Sequence, residues 1–320
     1  MSEDNGPLLS VAVYTYNQER FVTETLDSLL ESGGLDAFPG GTELIVSDDC
    51  SADGTVDAVS SWMERRGSCF HSCRLLRGER NEGPVRNYVR AVRACSGEIV
   101  KPLAGDDLFY PEALRNAVLQ MTSHRAMMIA FGRVATFSTG TNAVEREWTA
   151  EQRRFFAEDA RGQFRMLASF DPLPAPGVLF RRSLFERLRL WEHDFFWMED
   201  WPFWLLATAN GYRIHKLDQA VVRYRLHTES LSQRMNAKGK ERVRKGINAD
   251  RRRMYDEIVL PLMTGQPLFL RHHARLRRFF FGWLERTERP ALVHWARSFS
   301  LLIDPYRLWR KIEGVSRRSE

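Results

Sequence analysis

Two pairs of adjacent acidic residues have the type and spacing to do chemistry: Asp48-Asp49 and Asp106-Asp107. Each pair follows an apolar run, ELIVS and IVKPLAG, at the point where a buried strand should end. Neighbouring carboxylates repel one another, so we expect a cation or a ligand rich in hydrogen-bond donors between them. The sequence therefore predicts a metal ion and a polar ligand at the ends of two strands.

The elements that must position these pairs alternate between strand and helix. Near-continuous apolar runs predict strands at residues 8–14, 43–47, 75–76 and 98–103. Helically spaced apolar residues lie between them, with Asn17, Ser51 or Asp53 as predicted N-caps and Pro111 opening a further helix. This alternation predicts an α/β fold with a doubly wound, parallel or mixed sheet and helices on both faces. Ligands bind such sheets beyond the carboxyl ends of the strands, where both acidic pairs should meet.

The remainder of the chain is more mixed. It predicts strands at 127–137 and 177–180, an insertion with helical stretches at 140–170, a helix at 201–210 and an extended segment at 212–225. We predict two halves of one domain, at residues 1–115 and 116–234, and a basic, amphipathic helical extension at 235–320.

The formal net charge of +6 is unevenly distributed. Residues 236–320 carry 20 Lys and Arg against 9 Asp and Glu, whereas the residues before them are net acidic. Basic, aromatic-rich stretches, including Trp283, Trp295 and Trp309, suit the surface of an anionic membrane. They suit equally well packing against the catalytic body or a second subunit, and both interpretations stay open. No apolar run approaches the roughly 18–20 residues that span a bilayer, and an acidic body without a matching motif argues against a nucleic-acid partner.

Six segments together resemble the motifs of family 2 glycosyltransferases of the GT-A fold. Residues 10–19 (SVAVYTYNQE) and 46–55 (VSDDCSADGT) resemble the first two motifs. Residues 81–87, with NEG followed by Arg86 and Asn87, and AGDD at 104–107 resemble the third and fourth. WMEDW at 197–201 resembles the Glu-Asp motif of the acceptor half, and YRLH at 224–227 the segment that often follows it. The resemblance covers residues 8–232, and the order and spacing of the motifs make it specific.

The resemblance implies a nucleotide-diphospho-sugar donor, most often a UDP-sugar, a divalent metal such as Mn²⁺ or Mg²⁺, and inversion at the anomeric carbon. It implies that residues 1–115 are the nucleotide-sugar-binding half of the domain and that residues 116–234 are its acceptor-binding and catalytic half. It also implies the roles of individual residues. Asp200 would be the general base, with Glu199 supporting it. The implied nucleotide-sugar contacts are Tyr14, Tyr16, Asp48, Asp49, Arg86, Asn87 and Asp106. The implied metal ligands are Asp106, Asp107 and His227.

Elementary chemistry supports these roles. A divalent cation neutralises the charge that grows on a leaving diphosphate, and Mg²⁺ or Mn²⁺ accepts carboxylate and phosphate oxygens. A carboxylate base contributes about 10²–10⁴-fold to rate, and the helix beginning near Pro202 should favour the ionised form of Asp200. The chain departs from the family pattern at the metal site, where Ala104 stands in place of a further acid that the family often has. The resemblance therefore supports metal dependence less directly than it supports donor binding.

The resulting prediction is an inverting transferase that moves a sugar to a hydroxyl of a glycan or a lipid-linked acceptor. It would act in the cytoplasm, at the inner face of the membrane if the tail docks there, and by analogy in bacterial surface polysaccharide synthesis. A sugar nucleotidyltransferase would need a Gly-rich, basic loop after the first strand, which residues 14–19 do not supply. A non-catalytic nucleotide-sugar-binding subunit is the other alternative, against which the acids at 106, 107 and 200 argue.

Overall fold

Eight strands of the described chain form one sheet with helices on both faces. A computed structural model describes residues 6–33, 35, 38, 40–138, 143–145, 147–227 and 241–286. Its strands are β1 (Leu9–Thr15), β2 (Thr42–Asp48), β3 (Ser72–Arg77), β4 (Ile99–Ala104), β5 (Leu108–Phe109), β6 (Ile129–Ser138), β7 (Val178–Arg181) and β8 (Ile214–Leu226). Its helices are α1 (Val22–Glu31), α2 (Thr55–Arg66), α3 (Pro84–Arg93), α4 (Ala113–Ser123), α5 (Ala150–Ala157), α6 (Ala160–Leu167), α7 (Arg182–Leu188), α8 (Trp201–Ala209), α9 (Glu241–Met254) and α10 (Leu268–Arg286).

The sheet is mixed, with strand order β3-β2-β1-β4-β7-β6-β8-β5. The first four of these strands run parallel, β7 is antiparallel to both β4 and β6, and β5 is antiparallel to β8. In this register Thr15 lies beside Asp48 and Tyr14 beside Ala104. The carboxyl ends of β1, β2 and β4 therefore end at one level, and the predicted doubly wound, mixed sheet is confirmed.

The loops after β1 and β2 differ from the sequence prediction. Asn17 has a left-handed backbone (φ 52°), and its side-chain oxygen accepts a hydrogen bond from the Ala52 amide at 2.9 Å. It therefore ties two loops together and does not cap α1, which begins at Val22. Ser51 is not a cap either, because its hydroxyl donates to the Asp48 carboxylate. Helix α2 begins at Thr55, whose amide donates to Asp53 at 3.1 Å.

The C-terminal helices pack into the core of the catalytic half. Ile247, Met254 and Phe281 are buried in the same apolar cluster as Phe203 and Trp204 of α8. Between α9 and α10, a π-helical turn at Tyr255–Val259 places the Tyr255 hydroxyl 2.6 Å from the Ala168 carbonyl, to which it donates. The predicted boundary at 235 stays a prediction, but residues 241–286 share their core with the body.

Two further observations concern membrane contact. None of the helices in the described segments is long and apolar enough to cross a bilayer. Trp295 and Trp309 lie outside the described residues.

Candidate active site

The first acidic pair holds two loops in place. The Asp48 carboxylate accepts hydrogen bonds from the Thr15 hydroxyl at 3.0 Å and the Ser51 amide at 2.8 Å. The Asp49 carboxylate accepts from the backbone amides of Glu82 at 3.0 Å and Gly83 at 2.8 Å. Because each carboxylate has its own donors, the pair is accommodated without a cation between its members. The predicted contact of both residues with the nucleoside stays a prediction.

Asn87 and Arg90 support the same edge from α3. The Asn87 amide donates to the Thr15 carbonyl at 3.0 Å and accepts from Arg90 at 2.9 Å, and its side chain is buried. Arg90 also donates to the Asp48 carbonyl at 2.8 Å and to the Ser47 hydroxyl at 2.8 Å. Both ends of the Asn87 amide are thus engaged within the chain, so its predicted donor contact would have to compete with these bonds. No sequence pattern distinguishes Arg90 from the many other arginines on helix surfaces.

The remaining predicted nucleotide contacts line the rim of this edge. Tyr14 packs edge-on against Tyr88, with ring centroids 5.6 Å apart. Tyr16 is 42% exposed. The Arg86 guanidinium is 55% exposed and lies 3.5 Å from the Asp194 carboxylate. Tyr16 and Arg86 are accessible to a ligand and Tyr14 is half-buried, and their contact with the nucleotide stays a prediction.

The second acidic pair contacts the end of β8. Asp106 lies 2.8 Å from the imidazole Nε2 of His227. One oxygen of Asp107 accepts from the Arg225 amide at 2.9 Å, whereas the other is buried with no hydrogen-bond partner within the described residues. Burial, and then the neighbouring Asp106, raise the pKa of Asp107 well above its usual range. A buried carboxylate oxygen of this kind suits a bound cation, because a cation would both satisfy the oxygen and relieve the repulsion.

Asp106-Asp107 can bind a divalent cation such as Mg²⁺ because such cations prefer oxygen ligands. Asp106 and Asp107 supply carboxylates, and the His227 imidazole lies at hydrogen-bond distance from the first of them. No three His, Cys, Asp or Glu side chains converge as a ready metal cage in the part of the chain that the structure describes. A cation held here would therefore take further ligands from outside the protein, as Mg²⁺ does from substrate phosphates.

The third acidic pair, Glu199-Asp200, lies at the start of α8. Asp200 caps this helix, since its carboxylate accepts from the Trp201 amide at 2.7 Å. Burial nevertheless raises the pKa of Asp200, and this effect outweighs the lowering by the amide. The helix terminus thus favours the ionised form of Asp200 as expected, but its effect on the pKa is smaller than that of burial. Burial, and then Asp200, raise the pKa of Glu199 to about 8.

Tyr14 links the second and third pairs. Burial raises its pKa, and the charges of Glu199, Asp107 and Asp106 raise it further, in that order. All three carboxylates therefore lie near enough to the Tyr14 phenol, at the end of β1, to act on it electrostatically. The structure thus brings residues 106, 107 and 199 to one place although they are far apart in the chain.

Sequence reasoning missed two acids and one cation beside Asp200. Burial and the charge of Asp200 raise the pKa of Asp171, whose carboxylate accepts from the Leu173 amide at 2.9 Å. The charge of Arg251 on α9 lowers the pKa of both Asp171 and Asp200. Asp250 contacts the loop that carries the acid pair. Asp171 resembles an ordinary turn residue before proline, and residues 250 and 251 resemble a charged helix surface, so no pattern could have found them.

Comparison with known proteins identifies the family. A family model described as glycosyl transferase family 2 matches residues 10–189, more than half of the chain. The chain belongs to that family. An uncharacterized glycosyltransferase of Methanocaldococcus jannaschii is 21% identical over 227 residues, which are 71% of this chain and 73% of that relative. The predicted family is therefore confirmed.

Two solved structures share the fold of this family 2 glycosyltransferase. Staphylococcus aureus TarS 1–349 in complex with UDP-GlcNAc matches with a TM-score of 0.52 at 20% identity, over 98% of this chain and 92% of that one. The mannosyltransferase PcManGT from Pyrobaculum calidifontis, in complex with GDP-Man and Mn²⁺, matches with a TM-score of 0.53 at 21% identity, over 97% and 85%. At these identities the likeness confirms the predicted GT-A architecture and nothing finer.

Proposed function

We propose that this glycosyltransferase is a metal-dependent, inverting enzyme that moves a sugar from a UDP-sugar to a hydroxyl of a glycan or lipid-linked acceptor. The observation that supports it most directly is that charges of two acidic pairs act on the packed rings of Tyr14 and Tyr88 at the carboxyl edge of the sheet: Asp106-Asp107 and Glu199 on Tyr14, and Glu199-Asp200 on Tyr88. One pair suits the leaving diphosphate, and the other suits the incoming hydroxyl. Single-displacement transfer needs both functions on opposite sides of the anomeric carbon.

Asp200 acts as the base in this proposal. Its carboxylate takes the proton of the acceptor hydroxyl while the hydroxyl oxygen forms the new bond to the anomeric carbon. The bond from that carbon to the diphosphate oxygen breaks on the opposite face, which inverts the configuration. Glu199, whose pKa is about 8, keeps its proton at neutral pH. The pair then carries one negative charge rather than two, and it is located on Asp200.

Asp106 and Asp107, with His227 beside them, would hold the divalent cation. When bound, such a cation supplies positive charge against the departing diphosphate. The buried oxygen of Asp107 without a hydrogen-bond partner among the described residues supports this assignment. Ala104 supplies no ligand, so the protein would contribute fewer oxygens than a site with an additional acid.

We propose that the sugar donor is a uridine nucleotide. TarS binds UDP-GlcNAc in its crystal structure and PcManGT binds GDP-Man, so both nucleotides are worth comparing. We expect UDP with Mn²⁺ to raise the thermal unfolding temperature more than GDP with Mn²⁺ at equal concentration. Stabilisation by GDP and not by UDP would contradict the donor assignment.

A surface polysaccharide is the proposed product. TarS, named a poly(ribitol-phosphate) β-N-acetylglucosaminyltransferase, is 31% identical over 118 residues, only 37% of this chain and 19% of TarS. This similarity supports the class of product but does not name the sugar or the linkage.

The base assignment is tested by Asp200→Asn with Asp159→Asn as the matched control. Asp159 caps α6 by accepting from the Gly162 amide at 2.7 Å, as Asp200 caps α8. Because Asn caps helices about as well as Asp, both variants keep their cap and only the first loses a base. Asp200→Asn should lower turnover by about two or more orders of magnitude and leave UDP binding intact. Turnover close to that of Asp159→Asn would remove Asp200 from the mechanism.

We also propose that α10 contacts an anionic membrane surface. Leu268, Leu276 and Phe279 lie on one side of this helix and are 70%, 64% and 70% exposed. Arg271 and Arg275 flank them, so apolar and cationic groups would reach the bilayer together. This position agrees with the predicted cytoplasmic, membrane-associated location.

The membrane proposal requires surface variants rather than truncation, because α9 and α10 belong to the core. Leu276→Ser with Phe279→Ser should abolish co-sedimentation with vesicles containing anionic lipid. Leu119→Ser is the matched control, since Leu119 is 48% exposed on α4. Equal binding by all variants would reject the proposal, and concentration-dependent dimerisation lost only in the double variant would assign the surface to a second copy.

A further inference from the structure

Helix α9 lies directly behind the loop that carries the proposed base. We define the acid-pair loop as residues 193–200. One carboxylate oxygen of Asp250 accepts hydrogen bonds from two successive amides of this loop, Phe196 at 3.0 Å and Trp197 at 2.6 Å. Asp250 is itself only 4% exposed. Charge-assisted bonds to backbone amides are stronger than neutral ones and leave their partners little freedom.

Other contacts hold the same loop along successive turns of α9 and the π-helical turn. Gly246 packs so closely on the Trp197 indole that a Cβ there would overlap the ring nitrogen. Arg253 lies 3.3 Å from the Asp194 carboxylate, and His193 lies 2.9 Å from Glu257. The loop is therefore held at its beginning and in its middle by residues from the C-terminal part of the chain.

We infer that Asp250 is a positioning residue for catalysis: by holding the amides of residues 196 and 197, it places Glu199 and Asp200 against the end of β1. This inference rests on the proposed role of Asp200. Its physical basis is that a catalytic group displaced by about 1 Å can lose roughly 100-fold in rate. Asp200 lies three positions after Trp197 in the chain, so release of the Trp197 amide would displace the base.

Charge and geometry can be separated at this position. The groups that face Glu199 are the acids Asp200 and Asp250 and the phenols of Tyr14 and Tyr88. The negative charge of Asp250 raises the pKa of Glu199. In Asp250→Asn the amide oxygen can still accept both backbone bonds while the charge is lost. In Asp250→Ala both the charge and the bonds are lost.

The experiment compares Asp250→Ala and Asp250→Asn with Asp256→Ala as the control. Asp256 lies in the π-helical turn after α9, and its ion pairs are with Arg252 and Arg278 of the C-terminal helices. Full-length variants are assayed with Mn²⁺ and the UDP-sugar that the wild type turns over. UDP binding is measured by calorimetry and amide exchange by mass spectrometry.

Asp250→Ala should lower kcat at least tenfold, change the Kd for UDP less than twofold, and speed exchange in the peptide covering residues 196–197. Asp250→Asn should keep kcat within threefold of the wild type, with the alkaline limb of the pH profile, where Glu199 releases its proton, moved to lower pH because Glu199 loses a negative neighbour. Asp256→Ala should behave as the wild type in all three measurements. This pattern separates positioning from a general loss of folding.

Gly246→Ala tests the same inference without removing a hydrogen bond. Alanine favours a helix more than glycine does, so α9 itself should not unfold, whereas the added Cβ displaces Trp197. We expect a kcat loss with unchanged UDP binding, and this variant carries the test if Asp250→Ala does not fold. Wild-type kcat in either variant, or an equal loss of UDP binding and kcat, would overturn the inference. Wild-type turnover in Asp200→Asn would instead overturn the proposed function.

Discussion

Replacing Glu199 by Gln should stabilise the protein, and the gain should grow as the pH rises. Burial, and then Asp200, raise the pKa of Glu199 from about 4.5 to about 8. Because the folded pKa lies above the unfolded one, the folded protein keeps a proton that the unfolded chain releases. This contribution to wild-type stability is fully present below pH 4.5 and is lost as the pH rises to 8. Glutamine has the shape of the protonated acid and no proton to lose.

The size of the effect follows from the shift. One pKa unit corresponds to about 1.4 kcal/mol, so the advantage of Glu199→Gln in the free energy of unfolding is about 1 kcal/mol at pH 5. It reaches about 3 kcal/mol at pH 7 and levels off near 5 kcal/mol above pH 8. Such differences are large against a typical domain stability of about 5–15 kcal/mol.

Denaturant unfolding of the metal-free protein at pH 5, 7 and 9 measures this difference. A stability gain appears as a higher midpoint at an unchanged slope. Glu64→Gln is the matched control, because Glu64 is exposed on α2, and its midpoint should differ from the wild type by the same small amount at all three pH values. A Glu199→Gln midpoint that did not rise from pH 5 to pH 9 relative to this control would refute the argument that Glu199 is held protonated.

Three further outcomes follow from the contacts. Asp107→Asn should raise the stability of the metal-free protein, since burial and a neighbouring acid raise the Asp107 pKa, and should abolish stabilisation by UDP with Mn²⁺; retained stabilisation in thermal unfolding would contradict its metal role. Asp49→Ala should cost about 2–5 kcal/mol in denaturant unfolding, because the amides of residues 82 and 83 lose a buried charged acceptor. Tyr255→Phe should cost about 1–3 kcal/mol, whereas Tyr212→Phe, whose hydroxyl bonds Arg187 at the surface, should cost less; equal losses would show that the buried bond to residue 168 contributes little.

The strands could be predicted because strands buried on both faces require runs of apolar residues in the sequence. The runs at 43–47 and 98–103 predicted β2 and β4 to within a residue or two of Thr42–Asp48 and Ile99–Ala104. Both strands are covered on both faces, so almost every position is apolar or small. The level at which they end, and with it the location of the site, then followed from general properties of parallel sheets.

The partners of the acids could not be predicted in the same way. Asp49 bonds amides more than thirty residues away, and no local pattern records such a contact. The expectation that adjacent acids need a cation or a donor-rich ligand between them did not foresee that amides and hydroxyls of the protein itself bond Asp48 and Asp49, with Arg90 3.7 Å from Asp49. That expectation fits Asp107 better, since one of its oxygens is buried without a hydrogen-bond partner in the described part of the chain. The same limit hid Asp171 and Asp250, whose significance lies in the backbone and charges that they face.

The electrostatics of Asp200 show why fold and base strength must be considered together. A helix N-terminus favours a carboxylate by about 0.3–1 kcal/mol, and by about 2 kcal/mol in favourable, partly buried cases. Burial can raise a carboxyl pKa by several units, at about 1.4 kcal/mol each. Burial therefore prevails at Asp200, and its pKa rises although it caps α8. A base gains proton affinity from this rise, because its pKa moves towards the pH at which it works. The amide of Trp201 and the charge of Arg251 limit the rise, so one hydrogen bond from its own helix and one charge from the C-terminal helices oppose the effect of burial on the base.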